Sequence, residues 1–532
     1  MSDRSYAITR TLSSVFLVGC LLLFVIRTWH WPLMGDAALM HYVVFFMDHG
    51  MAPYRDIVDP NMPTTLLIER AVMHLFGGNS LTWRLFDLAL LALSAIAMFV
   101  ICKPYSRFAA LFASSLFALI HGRDGLVELG QRDLTMTVCL LIGYAFLFTS
   151  LRTDRAAHSP SKTMPWMTAL FGFFCGVATT IKPSVLFLAP TVLLLAAITL
   201  RRRRQPFASH IIAGLIGMLT PILLIFGWLQ HQHITADFLR TLTQLLPYFL
   251  LLGPRSYTHL ILHSISSVML PVVLLWLPIV ILKKDWITWE RAALLVAVLF
   301  GLASFYLQRK GFPYHRYPSE AFLLLLIAID FTTILKTKPA NRRLRFTTNN
   351  KLLPGLAMAG IVVGVLFIGG GSTAHALWQD WRNQEFDTML RADLNRLGGE
   401  KLNNRVQCLD MADGCIPTLY NMRLVQSTGY LYDCYMLSNQ PGAERDRSRE
   451  AFWQAITKNP PAVFIVSSND CDPPTQRPGY TYQKMSRWPQ FDDYLKANYH
   501  LDADRIPPHM VNAGSSPSKP LGYRIYVQNH PN

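Results

Sequence analysis

Apolar residues in this chain come in long runs separated by short polar connectors. Eleven runs of up to about 20 residues, the length of an α-helix that crosses roughly 30 Å of hydrocarbon, lie at about 12–29, 83–101, 108–121, 133–150, 166–181, 184–200, 208–229, 261–282, 292–307, 319–335 and 352–372. The two runs flanking Lys182-Pro183 are short halves of one apolar hairpin. Beyond about residue 373 the long period gives way to short ones. Val406–Leu409, Ala462–Val466 and Tyr523–Val527 read as strands, and Asp446–Thr457 and Gln490–Ala497 read as helices. The pattern predicts an all-α polytopic membrane domain over 1–373, followed by a small α/β domain over 374–532.

The connectors alternate in charge. Arg4 and Arg10, Lys103 and Arg107, Arg152, Arg155 and Lys162, and Arg201 to Arg204 fall on one side. Lys283, Lys284 and Arg291 join them, as does the run from Lys336 through Arg342, Arg343 and Arg345 to Lys351. The positive-inside rule makes that side the cytoplasm. With eleven spans and a cytoplasmic N-terminus, the α/β domain lies outside, and the setting is the inner membrane of a bacterium.

Composition adds one decision. Among 532 residues 52% are hydrophobic and only 15% charged, yet the net charge is +16. Such a balance first suggests nucleic acid. The cytoplasmic connectors, however, carry twenty basic and four acidic residues, so the whole excess is a topology signal. Arg201–Arg204, at the end of a span, belongs to it. Leu17-Val18-Gly19-Cys20 matches a lipoprotein cleavage pattern, but the apolar run continues to Ile26 and reads as an uncleaved anchor. In the α/β domain Cys408, Cys415, Cys434 and Cys471 allow two disulfides in three pairings, and their spacing gives no zinc pattern.

Candidate chemistry gathers on the opposite side. The first outer loop contains Gly35-Asp36, then an apolar stretch at Ala37–Met47 that is too short to span and is expected to lie in the membrane interface. Asp36 stands before that stretch, as a helix cap, a base, or both. Tyr54-Arg55-Asp56 and Asp59 follow in Pro53–Pro63. Arg132 and Asp133 open the fourth span, Lys182 breaks the apolar hairpin, and His315-Arg316-Tyr317 precede the tenth span. Each alone is an ordinary interfacial anchor. Their shared sidedness suits a lipid phosphate bearing a sugar. Cations would hold the phosphate as charge builds on it, and a carboxylate would take the proton of an attacking hydroxyl. No nucleotide-binding signature is present.

At these residues the chain resembles the polyprenyl-phosphate-sugar-dependent transferases of the GT-C fold. These are the protein O-mannosyltransferases and lipid A aminoarabinose transferases of glycosyltransferase family 39 and its neighbours. Gly35-Asp36, the Pro53–Pro63 segment, Gly130-Gln131-Arg132-Asp133, Lys182-Pro183 and His315-Arg316-Tyr317-Pro318 occur in matching order over about residues 1–340. The resemblance implies that Asp36 is the catalytic base and Asp133 the second acid. It implies that Lys182, Arg316 and Arg55 hold the donor phosphate, while Tyr54, Asp56, Asp59, Arg132, His315 and Tyr317 line the cavity. The implied partners are a polyprenyl-phosphate sugar donor, membrane lipid and a lipid, glycan or protein acceptor, with no nucleic acid. The implied reaction is a single inverting displacement.

The chain departs from the pattern twice. Ala37 stands where many relatives carry Glu after the Asp, which removes one ligand from any divalent cation site. No lysine stands at Asn61-Met62-Pro63. The alternatives are a flippase for a lipid-linked intermediate, which the absence of a clear internal repeat disfavours, and an inactive scaffold with the same fold.

Overall fold

A computed structural model of the chain describes residues 3–152, 164–283, 286–336, 349–378, 385–411, 414–471, 482–506 and 521–529. Of the cations expected on the cytoplasmic side, Arg155, Lys162, Lys284, Arg342, Arg343 and Arg345 lie outside the described residues. The chain forms two compact units. One comprises Met1–His30, Arg84–Ile225 and Arg255–Gln379; the other comprises Trp31–Trp83, Phe226–Pro254 and Asp380–Asn532.

The first unit is helical. Each of the eleven apolar runs falls on helix, but among the described residues eight helices are long and apolar enough to cross a membrane. Pro165–Ile181 and Ser267–Leu282 are shorter apolar helices. The 108–121 run lies on Arg107–Asp124, an 18-residue helix with three charged residues at its ends. The 261–282 run carries a break near its start. Its helix stops at Leu262 and resumes at Ser267, across the helix-poor stretch His263-Ser264-Ile265-Ser266. The amide freed at Ser266 donates to the buried Glu320 carboxylate at 2.6 Å. A break inside an apolar run is tolerated where protein supplies the missing partner. The chain is a multi-pass integral membrane protein.

The centre of this unit is the Tyr317–Lys336 helix, buried continuously from Tyr317 to Thr332. It packs against Arg107–Asp124, Arg132–Ser150 and Trp289–Gln308. At its far end Asp330 accepts Trp276 Nε1 at 2.9 Å, Trp286 Nε1 at 2.6 Å and Arg291 Nε at 2.7 Å. The Ala208–His231 helix is mostly exposed, and its Leu and Ile side chains form a surface that lipid would cover. The Pro165–Ile181 helix approaches that helix backbone to backbone. A Cβ at Gly172 would meet Gly214 O at 1.9 Å, and one at Gly176 would meet Met218 O at 2.3 Å. Small residues permit this packing where no hydrophobic effect drives helices together.

The second unit is α/β. Its sheet has the order β1-β2-β4-β3, with β1 (Val406–Leu409) parallel to β2 (Val463–Ser467). β4 (Tyr523–Gln528) runs antiparallel to both β2 and β3 (Tyr499–Arg505). Helices Ala443–Lys458 and Pro489–Asn498 bury Phe452, Ile456, Phe491 and Leu495 against Phe464 and Val466. The sequence pattern anticipates β1, β2, β4 and both helices. β3 escapes it, because His500-Leu501-Asp502-Ala503-Asp504-Arg505 alternates weakly and is half exposed at the sheet edge.

Two expectations about the first outer loop are corrected. Ala37–Met47 does not form an amphipathic surface helix. The Gly35–Asp48 helix buries ten residues from Ala37 to Met47, and Tyr42 Oη donates to Leu424 O at 2.7 Å. Nor does Asp36 precede that helix as its cap. Met34 is the N-cap, Gly35 takes the positive φ of 58° at the entry, and Asp36 lies within the first turn.

Candidate active site

In the first unit, Lys182 terminates the Pro165–Ile181 helix because Pro183 disfavours helical backbone at the residue before it. Lys182 takes an extended conformation instead (φ −151°, ψ 109°). Its Nζ donates to both Asp133 oxygens, at 2.7 and 2.8 Å. Asp133 lies in the first turn of Arg132–Ser150, where the helix dipole favours a carboxylate. The carboxylate is fully buried, whereas the Lys182 side chain keeps 12% exposure.

Further cations surround this pair. The Arg132 guanidinium stands 5.7 Å from the Tyr314 ring centroid, within cation–π range. Tyr314 in turn meets the buried His315 ring edge-on at 4.4 Å. Lys182, Arg132 and Lys310 all act electrostatically on His315. Positive φ at Gly311 and the turn Pro313–Arg316 bring this segment into the Tyr317–Lys336 helix. Residues from three separate stretches thus bring the Lys182, Arg132 and Lys310 charges near one another, with the Asp133 carboxylate on Lys182.

Arg316 is held by carboxylates. Its Nη2 donates to Asp124 Oδ1 at 3.0 Å, and its Nε lies 3.5 Å from Glu320 Oε1. Tyr317 Oη is 2.9 Å from His121 Nδ1, and His121 Nε2 is 3.2 Å from Asp87 Oδ2. Asp87 also pairs with Arg84, which reaches Thr28, and its Oδ1 accepts Gly130 N at 2.8 Å. The chain thereby fixes the Gly130–Asp133 turn through a buried network. Arg84, Asp87, Asp124 and Glu320 were not among the residues expected from sequence. The signal that reveals them is an ionisable residue inside or at the edge of an apolar run, which is costly unless partnered.

The remaining candidates lie in the second unit. Tyr54 is buried at φ 68°, and its hydroxyl donates to Asn61 O at 2.8 Å. Asp56 Oδ2 accepts Ala52 N at 2.8 Å, and Asp56 pairs with an exposed Arg55 at 3.2 Å. Asp59 is buried and its Oδ1 accepts Asn61 Nδ2 at 2.7 Å. The loop docks as a strand-like bridge, with Val58 N donating to Gly429 O at 3.0 Å. A Cβ at Gly429 would fall 1.7 Å from Asp56 O, so only glycine fits there. Asp36 is half buried. In this unit His41 Nδ1 meets a Glu69 carboxylate oxygen at 2.5 Å, a buried contact that sequence reading missed. Burial pushes the Glu69 carboxyl above its ordinary range, and His41 opposes that shift.

The fold groups Arg132, Asp133, Lys182, His315, Arg316 and Tyr317 in one unit, and Asp36, Tyr54, Arg55, Asp56 and Asp59 in the other. A divalent cation does not suit the first group. Both oxygens of Asp133 are already taken by the Lys182 ammonium, whose charge repels a second cation.

No family model and no curated protein matches the chain by sequence. Solved structures do match. ArnT from Cupriavidus metallidurans, bound to undecaprenyl phosphate, superposes with a TM-score of 0.54 at 14% identity over 98% of both chains. The archaeal oligosaccharyltransferase AglB from Archaeoglobus fulgidus, in complex with an inhibitory peptide and a dolichol-phosphate, gives 0.53 at 12% identity. That match covers 96% of this chain and 74% of AglB. The fold is GT-C. At these identities the likeness carries the GT-C architecture and leaves the roles of single residues to chemistry.

Proposed function

We propose that this GT-C chain is an inverting glycosyltransferase. It moves a monosaccharide from a polyprenyl-phosphate donor to a hydroxyl acceptor at the outer face of a bacterial cytoplasmic membrane. The observation that carries this reading is the Lys182–Asp133 pair within its ring of cations. The fold supports it, since the two solved relatives were captured with undecaprenyl phosphate and dolichol-phosphate.

The donor phosphate is taken by Lys182, with Arg132 and His315 beside it. As the anomeric C–O bond breaks, negative charge grows on the departing phosphate oxygen, and fixed cations in a water-poor site stabilise it. Asp133 holds the Lys182 ammonium in place. Arg316, tied to Asp124 and Glu320, sets the turn that presents His315 and Tyr317. Asp36 keeps the role of base given by the resemblance: it accepts the proton of the acceptor hydroxyl, whose oxygen bonds to the anomeric carbon from the opposite face. The products are the glycosylated acceptor and polyprenyl phosphate. In this reading the N-terminus is cytoplasmic, and the domain from about 374 lies outside and shapes acceptor choice.

The test is mass spectrometry of envelope glycolipids and glycoproteins from cells with and without the protein. Loss of one hexose, pentose or amino-sugar increment, restored by wild type and not by Asp36→Asn, is the expected result. Identical profiles would sink the transferase reading, and rescue by Asp36→Asn would remove Asp36 from the base role.

A further inference from the structure

Four cysteines sit in the second unit, and the structure joins only two of them. Cys408 and Cys415 form a disulfide that closes the turn between β1 and the Cys415–Asn421 helix. Cys434 and Cys471 are thiols, both buried. Their sulfur atoms lie within 4.8 Å of each other and of a carboxylate oxygen of Asp433, and the two thiols hydrogen-bond. They come from separate elements. Cys434 opens the Cys434–Leu437 helix, whereas Cys471 follows the end of β2. An apolar cluster of Leu245, Tyr248, Leu252 and Tyr435 encloses both.

Two chemistries suit such a cluster. As metal ligands, Asp433, Cys434 and Cys471 fall one donor short of the closed tetrahedral set of a structural zinc site. Asp433 Oδ2 is also engaged by Lys484 Nζ at 2.6 Å. Metal binding further requires thiolates, and burial pushes the Cys434 thiol well above its usual value. The other chemistry needs only what is present. A domain that already carries one disulfide folds where thiols are oxidised, and two thiols side by side do not stay reduced there.

We propose that Cys434 and Cys471 are joined as a second disulfide in the mature protein. Two S–H bonds break and one S–S bond forms. Two protons leave, and the two electrons reduce the disulfide of a thiol-oxidising protein to a dithiol by exchange. Asp433 Oδ1 is buried without a hydrogen-bond partner, and burial holds its carboxyl above the ordinary carboxylate range. It is placed to accept the proton of the attacking thiol. The bond ties the Cys434–Leu437 helix to the chain leaving β2, closes a loop that carries the Ala443–Lys458 helix, and braces the Asp433–Lys484 pair. It resolves the three pairings open at the level of sequence into Cys408–Cys415 with Cys434–Cys471.

The test uses the purified full-length protein. It is denatured without reductant, alkylated with iodoacetamide, digested and analysed by mass spectrometry. A linked peptide pair containing Cys434 and Cys471 is expected, with alkylation confined to Cys20, Cys102, Cys139 and Cys175. Alkylated Cys434 and Cys471 would overturn the proposal, whether or not zinc accompanies the protein at one ion per chain. A second measurement is the thermal unfolding of Cys434→Ser, Cys471→Ser and the double variant in detergent. Equal losses for all three are expected of a shared bond, and additive losses would overturn it.

Discussion

Two lysine–aspartate pairs, one in each unit, are nearly the same by distance and differ in everything around them. Lys484 donates to Asp433 Oδ2 at 2.6 Å and also to Leu409 O and Asn469 Oδ1, and both side chains of the pair are 1% exposed. That ammonium has an acceptor for each proton and no route to solvent. Lys182 donates to Asp133 at 2.7 Å but keeps an exposed edge among other cations. The first arrangement holds a fold together. The second keeps an edge in solvent, as the phosphate-binding role proposed for Lys182 requires. A buried ion pair by itself is weak evidence for either role, and the surroundings decide.

Exchanging each lysine for glutamine breaks the comparison most directly. Lys182→Gln keeps an N–H toward Asp133 but removes the charge. Transfer should fall about 10²- to 10³-fold, as when a transition-state donor is lost, with the smaller shift in unfolding of the two, since Lys182 keeps an edge in solvent. Lys484→Gln should do the reverse: a loss of about 3 kcal/mol or more in stability from a buried carboxylate left without its cation, and normal turnover per folded molecule. Activity assays paired with melting curves read both, and matching profiles for the two variants would erase the distinction.

A smaller effect comes from pH. Burial is the main cause of the raised Asp433 carboxyl, opposed by Lys484, and the same holds for Glu69 opposed by His41. The fold favours each carboxyl with its proton on, whereas in the unfolded chain the proton leaves near the ordinary value of about 4. The unfolded state therefore binds fewer protons above that value, and stability falls as pH rises through the folded-state values. Asp433→Asn should flatten this decline in unfolding curves taken from about pH 4 to 7. An unchanged slope would remove Asp433 as a source. The smallest effect belongs to Arg55→Ala. The Arg55–Asp56 pair is exposed, so melting should not shift, and a raised donor KM at constant kcat is the mark expected if Arg55 meets the phosphate.

The outline of the molecule was readable because lipid-spanning helices and buried strands announce themselves as apolar periods. The same signal does not show a break inside a run, as at His263–Ser266, since hydropathy does not see a backbone satisfied by Glu320 fifty-four residues later. It also misplaced Ala37–Met47, which is apolar all round and is buried by residues some 380 positions away, such as Leu424. Among the candidate residues, Asp133, Lys182, Arg132 and His315 were visible because each interrupts the end of an apolar run on what the charge pattern makes a common side. Asp87 and His121 were passed over. Their meaning lies in who faces them, and Asp87, His121, Gly130 and Tyr317 meet only once four separate stretches have folded.

The Tyr317–Lys336 helix is fastened at both ends: at one by Tyr317 and Glu320, at the other by Asp330 with two indoles and a guanidinium. Sliding or turning it would tear polar contacts at two depths at once, in surroundings where water cannot replace them. It therefore behaves as an axle housing and not as the axle. Any motion in this unit falls to elements without such ties, and probes of opening and closing belong there.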